Sequence, residues 1–176
     1  MADLKLSKYG SDVLRAVAQP VAEITDEIRR IAENMLRTMY DTDGVGLAAP
    51  QVGISKRIIV VDPEPLNPDS EPMALINPEI VERSGKADAD EGCLSVPEVR
   101  GEVERAAKVT VEALNLDGEK IRIEATDLLA RIFQHEIDHL NGVLFVDHLS
   151  RLKKQLIKKH LRKIEQETKE NGSTSS

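Results

Sequence analysis

Two histidines four residues apart, with a glutamate beside the first, constrain this chain more than any other feature: Gln134-His135-Glu136-Ile137-Asp138-His139. The segment from about Asp127 to Asn141 carries Leu128, Leu129, Ile132, Phe133, Ile137 and Leu140 at helical spacing and predicts a helix apolar on most sides, hence buried. Thr126 or Asp127 is placed as its N-cap and Gly142 as its terminating glycine. On a helix, residues four apart lie one above the other, so the His135 and His139 rings can close on a single metal ion with Glu136 beside it. Burying two imidazoles and a carboxylate without partners is costly, which weighs against a pair of core histidines bonded only to backbone. Two ligands are too few, because an open catalytic site holds its ion with three protein groups and leaves one position for water or substrate.

The third ligand separates the possible chemistries. Zinc endopeptidases with this spacing take it downstream, but Phe145 stands where their third histidine would be. Asp147 and His148 lie too close to the helix end to fold back, and His160, Glu165 and Glu167 fall in a charged C-terminal segment. Upstream, Asp90-Glu91-Gly92-Cys93-Leu94-Ser95-Val96-Pro97-Glu98 holds the one thiol of the chain. Alone, Cys93 reads as a small buried hydrophobe; as a thiolate beside two imidazoles it completes a three-ligand site with an open fourth position. A single cysteine excludes an internal disulfide framework and suits a reducing compartment.

A further stretch, Gly44-Val45-Gly46-Leu47-Ala48-Ala49-Pro50-Gln51, is made of small residues ending in one amide. Glycines let a bound chain approach the backbone, although a glycine turn before a strand fits equally well. No Lys-Ser or Lys-Thr follows, so it is not a phosphate loop, and no strand precedes it, which counts against a dinucleotide site.

Around these stretches, Asp12 to Ala18 is read as a short helix closed by Pro20, and Thr25 as the N-cap of a packing helix carrying Ile28, Ile31, Met35, Leu36 and Met39. Arg57 to Asp62 is a β-branched strand, followed by a loop held open by Pro63, Pro65, Pro68 and Pro72, then short strands at Ala74 to Ile76 and Glu79 to Arg83. Lys108 to Leu116 and Lys120 to Ala125 alternate with period two about Asp117-Gly118, a hairpin. With no repeat and no βαβ alternation, the fold class is α+β, mostly antiparallel strands around a central buried metal-binding helix, with a C-terminal helix.

With these three motifs in this order and at these separations, the chain resembles the peptide deformylases over about residues 4 to 160. The resemblance implies that Cys93, His135 and His139 bind one divalent metal, ferrous iron being usual, with zinc, nickel or cobalt as substitutes. It implies that Glu136 is the general acid/base and that the side-chain amide of Gln51 and the backbone N–H of Leu94 stabilise the oxyanion while the formyl group is removed from N-formylmethionyl nascent peptides. Val45, Gly46 and Gly92 would pair with the peptide backbone, Leu128 and Arg131 would border the methionine pocket, and Arg100 would reach the far end of the peptide. Glu91 is either a carboxylate behind a ligand or an anchor for its loop. Two readings compete: an endopeptidase, and a metal-binding or ribosome-associated module without turnover.

The 176 residues suit one domain, read as residues 1–165 with a flexible tail over 166–176. No apolar run approaches a membrane span and residues 1–10 carry no apolar signal core, so the cytoplasm is the expected location, without membrane contact. The net charge of -7 excludes a whole-surface attraction to nucleic acid, and no sequence-specific nucleic-acid partner is expected. Yet Arg151, Lys153, Lys154, Lys158, Lys159, Arg162 and Lys163 cluster without a carboxylate between them, around a stripe of Leu152, Leu156, Ile157, Leu161 and Ile164. This basic helix, about 151–165, either docks on the domain or, as the resemblance implies, meets the ribosome near the peptide exit.

Overall fold

Residues 4–64 and 69–174 are described by the computed structural model. They form α1 (Asp26–Asp41), β1 (Gly46–Ala48), β2 (Ile58–Val61), β3 (Met73–Ser84), β4 (Ala87–Cys93), β5 (Val96–Arg105), β6 (Lys108–Leu114), β7 (Lys120–Thr126), α2 (Asp127–Leu140) and α3 (Arg151–Thr174). One sheet has the order β1-β2-β3-β6-β7 and a second consists of β4 and β5, with every strand pair antiparallel. The α+β class with a central buried helix is the one the sequence predicts.

The apolar alternation of β2 explains the layering. Ile59 and Val61 face α2, joining Phe133, Ile137 and Leu140, whereas Ile58 and Val60 face α1, joining Ile28, Met35 and Met39. Each fully buried side chain of this size contributes about 1.5–3 kcal/mol, so a strand apolar on both faces clamps two helices to one sheet. The β4–β5 hairpin packs separately. Val96, Val99 and Val103 are covered by Leu144, Phe145, Val146 and Leu149 and by Ile157 and Ile164 of α3. Helix α2 therefore has the sheet on one side and the hairpin on the other.

Several local expectations change. Between Asp12 and Ala18 only Asp12–Leu14 is helical, as a 3-10 turn, because the Ala18 N–H is taken by the Leu140 carbonyl and Gln19 bridges Lys56. The two short strands after the proline loop are one strand, β3, irregular near Asn77, which sits at φ 51 with its amide bonded to both backbone groups of Val21. Pro65 and Pro68 lie outside the described residues. The cysteine stretch, expected between strands, is itself a hairpin. Thr126 is the N-cap of α2, but its hydroxyl bonds the Asp127 carboxylate rather than the helix. Gly142 does adopt the left-handed conformation, at φ 74.

The C-terminal helix continues to Thr174, beyond the expected end near residue 165. Its stripe divides: Ile157 and Ile164 are buried with Leu161 packed beside them, while Leu152 and Leu156 are 67% and 71% exposed. Among the described residues no helix is long and apolar enough to cross a membrane.

Candidate metal centre and cleft

Helical spacing stacks the two histidines of α2 as the sequence requires, with His135 Nε2 and His139 Nε2 3.2 Å apart. Cys93 ends β4 at the tight hairpin turn where Cys93 pairs with Val96, and its Sγ lies 3.6 Å from His139 Nε2. One ligand atom from each of the three falls within 4.8 Å of the others. With nitrogen ligands at ~2.0–2.1 Å and sulfur at ~2.3 Å, a tetrahedral ion requires separations of ~3.3 Å between nitrogens and ~3.6 Å from nitrogen to sulfur. The donor set fits a divalent ion by spacing as well as by chemistry. His139 is held well below its usual pKa by burial and by His135, so its ring is neutral, the form that ligates. His135 is raised well above its usual value, since burial is outweighed by its hydrogen bonds to Cys93 and Glu91 and by the charge of Glu136. Phe145, in the place of a protease's third histidine, stacks on the His135 ring with centroids 6.3 Å apart.

Glu136 is buried beside this cluster, and its Oε1 has no hydrogen-bond partner among the described residues. Burial pushes its carboxyl up to about 7, against the pull of His135. Such a group exchanges protons near neutral pH. Gly46 of β1 makes room for it: a Cβ there would lie 2.7 Å from Glu136 Oε2.

Glu91 fills both roles that the sequence left open. Its Oε1 lies 3.0 Å from His135 Nδ1, and since a carboxylate only accepts, Nδ1 carries the proton and Nε2 is directed to the metal position. The same carboxylate accepts a two-pronged bond from Arg105 Nε and Nη2, both 2.9 Å, and a third from Arg131 Nη1 at 2.5 Å. Burial works against the charge, but the His135 and Arg105 hydrogen bonds hold Glu91 well below the usual carboxylate range. Arg105 Nη1 also donates to Asp138 Oδ2 at 2.6 Å, and His148 Nε2 lies 2.9 Å from that oxygen. An ionic chain therefore runs from His135 to the surface. Sequence reading missed Arg105, although Val99, Val103 and Arg105 share the inward parity of β5 and carried the signal.

Gln51 sits in a 3-10 turn, Ala49–Val52, directly after β1. Its Oε1 accepts the Ala48 N–H at 2.9 Å, which fixes the amide orientation, and its Nε2 points at Cys93 Sγ and Ser95 Oγ, each 3.4 Å away. Leu94 lies at the tip of the hairpin, partly exposed. Except for His139, which is buried beneath it, every residue singled out as a site candidate lines one open cleft of about 690 Å³. Leu128 borders it half-exposed, while Arg131 offers its stem because Glu91 and the Val103 and Ala87 carbonyls hold its guanidinium away. Arg100 pairs with Asp90 and lies across Gly92, where a Cβ would meet its Nη1 at 2.6 Å. The absent side chains at Gly46 and Gly92 therefore serve Glu136 and Arg100.

The family model that matches is that of polypeptide deformylases, over residues 3–155. A peptide deformylase of Halothermothrix orenii is 54% identical over 157 residues, 89% of this chain and all of that protein. One from Acidobacterium capsulatum is 50% identical over 159 residues, covering 90% of this chain and 93% of the relative. Among solved structures, the peptide deformylase of Synechococcus elongatus in complex with actinonin matches with a TM-score of 0.83 at 47% identity, covering 89% of this chain and 87% of that one. The enzyme from Thermus thermophilus gives 0.85 at 39% identity, covering 93% and 98%.

Proposed function

The chain belongs to the peptide deformylase family, and from that membership we propose how its residues divide the work of removing the N-formyl group from the N-terminal formylmethionine of newly synthesised proteins. The reading rests above all on one observation: three atoms able to ligate a metal meet beside a buried carboxylate whose Oε1 has no hydrogen-bond partner among the described residues, on the wall of an open cleft. Cys93, His135 and His139 would hold one divalent ion. When bound, that ion supplies Lewis acidity, making water a better nucleophile and the formyl carbonyl a better electrophile.

Glu136 takes the proton of the attacking water, and the water oxygen bonds to the formyl carbon. The Gln51 Nε2 and the Leu94 backbone N–H donate to the formyl oxygen as it gains negative charge. Glu136 then delivers its proton to the amide nitrogen, the C–N bond breaks, and formate and a free amine result. Val45, Gly46 and Gly92 border the peptide backbone, Leu128 and the Arg131 stem border the methionine side chain, and Arg100 meets the peptide further along. Anaerobically purified protein is expected to release formate from a formylmethionyl peptide and to leave internal bonds intact. Internal cleavage without formate would instead support the endopeptidase reading, and neither product a binding module.

The resident ion is proposed to be ferrous iron, which thiolate and imidazole ligands accommodate. Metal analysis of protein purified without oxygen, alongside an aerobic sample losing activity, tests this. The work is proposed to take place in the cytoplasm, where formylated chains emerge. The α3 surface bearing Leu152, Lys154, Leu156, Lys158 and Lys159 is proposed to meet the ribosome; support comes from its exposed cations and apolar pair. K154E/K158E/K159E is expected to pellet less with ribosomes at low salt than wild type, and equal pelleting overturns it.

A further inference from the structure

The two side-chain and backbone donors of the proposed oxyanion site come from different layers. Gln51 follows β1 of the five-stranded sheet and Leu94 sits on the β4–β5 hairpin, and among the described residues no strand pairing joins the two sheets. The N-terminal segment crosses between them. Leu6 packs into the α1 side of the core and Tyr9 into the hairpin cluster. Between those anchors, the Ser7 N–H donates to the Gln51 carbonyl at 2.6 Å and the Tyr9 N–H to the Ser95 carbonyl at 2.8 Å. Lys8 Nζ donates to the carbonyl of Leu94 itself at 3.0 Å, and Lys8 lines the same cleft. Three consecutive residues thus bond to both sides of the site.

We infer that Ser7–Tyr9 is a positioning strap, with Lys8 its side-chain clasp, that sets the distance between the Gln51 amide and the Leu94 peptide. The direct contacts of Gln51 Nε2 with Ser95 Oγ and Cys93 Sγ, both 3.4 Å, are a long hydrogen bond and one to a weak sulfur acceptor, and set that distance only loosely. Strap bonds at 2.6 to 3.0 Å fix both partners through their backbones. Oxyanion donors act through placement prepared before the reaction, so loosening the strap costs turnover rather than substrate affinity. The inference rests on the reading of Gln51 and Leu94 as oxyanion donors.

Lys8→Met and Lys8→Arg, with Gln51→Ala as the control for that reading, are compared by formate release at equal metal content and by amide hydrogen exchange at Ser7 and Tyr9. Lys8→Met is expected to lower kcat by about 3- to 10-fold, less than the ~100-fold or more for loss of a donor itself, with KM unchanged and faster exchange at both amides. Lys8→Arg, which keeps a donor, is expected to restore both. An unchanged kcat in Lys8→Met overturns the strap, as does a lowered kcat with wild-type exchange, because Lys8 would then act through charge alone. A rise in KM at unchanged kcat overturns it too, by making Lys8 a substrate contact. If Gln51→Ala turned over at the wild-type rate, the donor assignment would be the part that failed. Exchange at Ser7 and Tyr9 still reports on the strap in that event.

Discussion

At the scale of single residues, Glu136 and Arg105 are both buried and charged-capable but have opposite surroundings. Glu136 has no partner at Oε1 among the described residues, so its carboxyl is costly to ionise and its proton is readily exchanged. Glu136→Ala is expected to keep stoichiometric metal and lose about 100- to 10,000-fold in kcat, measured by formate release; turnover at the wild-type rate would remove the acid/base assignment. Arg105 is enclosed by Glu91 and Asp138. Arg105→Met leaves the buried Glu91 carboxylate and the partly buried Asp138 carboxylate short of a partner, and is expected to cost about 3–5 kcal/mol in denaturant unfolding. Because Glu91 orients His135, the same variant should bind metal about 10- to 100-fold more weakly, measured by competition with a chelator.

At the scale of elements, the site is the meeting of α2, β1 and the hairpin. Gly46 shows how tightly β1 and α2 are apposed: an alanine there would place its Cβ 2.7 Å from Glu136 Oε2 and 3.0 Å from Ile132 Cγ2. Gly46→Ala must displace the carboxylate or the strand, and misplacement on the order of 1 Å costs about 100-fold in rate. Formate release is therefore expected to collapse while far-ultraviolet circular dichroism stays native. Helix α2 shows a related division of labour, with Phe133, Ile137 and Leu140 toward the sheet and Arg131 and His135 toward the hairpin.

At the scale of the molecule, the ends of the chain are stitched to the centre. Arg15 reaches from the N-terminal region to Asp147 at 2.7 Å and to the Gly142 carbonyl at 3.1 Å. Burial opposes the charge on Asp147, but the Arg15 hydrogen bond, the Leu144 N–H and the nearby positive charge together outweigh it and lower the pKa below its ordinary 3.8. A carboxylate depressed on folding adds stability above its unfolded pKa and loses it as pH falls through the lower folded value. Both side chains are partly exposed, 45% and 38%, so the ion pair contributes no more than about 1 kcal/mol. Arg15→Ala should lower Tm modestly at pH 7, and thermal melts should show the difference shrinking below pH 3.8 toward the part due to the Gly142 bond.

The sequence by itself determined the ligand helix, because a period of 3.6 residues and two histidines four apart admit one arrangement; it also determined Cys93 as the third ligand candidate, because Phe145 has no lone pair to offer. Period-two alternation likewise made the β6–β7 hairpin legible. What the tertiary structure decided are the partnerships across layers: the Arg105–Glu91–His135 chain, the Gly46 approach to Glu136, and the Ser7–Tyr9 crossing to Gln51 and Leu94. These join residues tens of positions apart whose local patterns resemble a solvated arginine, a turn glycine and a polar terminus. Their identity as partners arises when burial removes water and leaves each polar group to be satisfied by whatever the fold brings alongside.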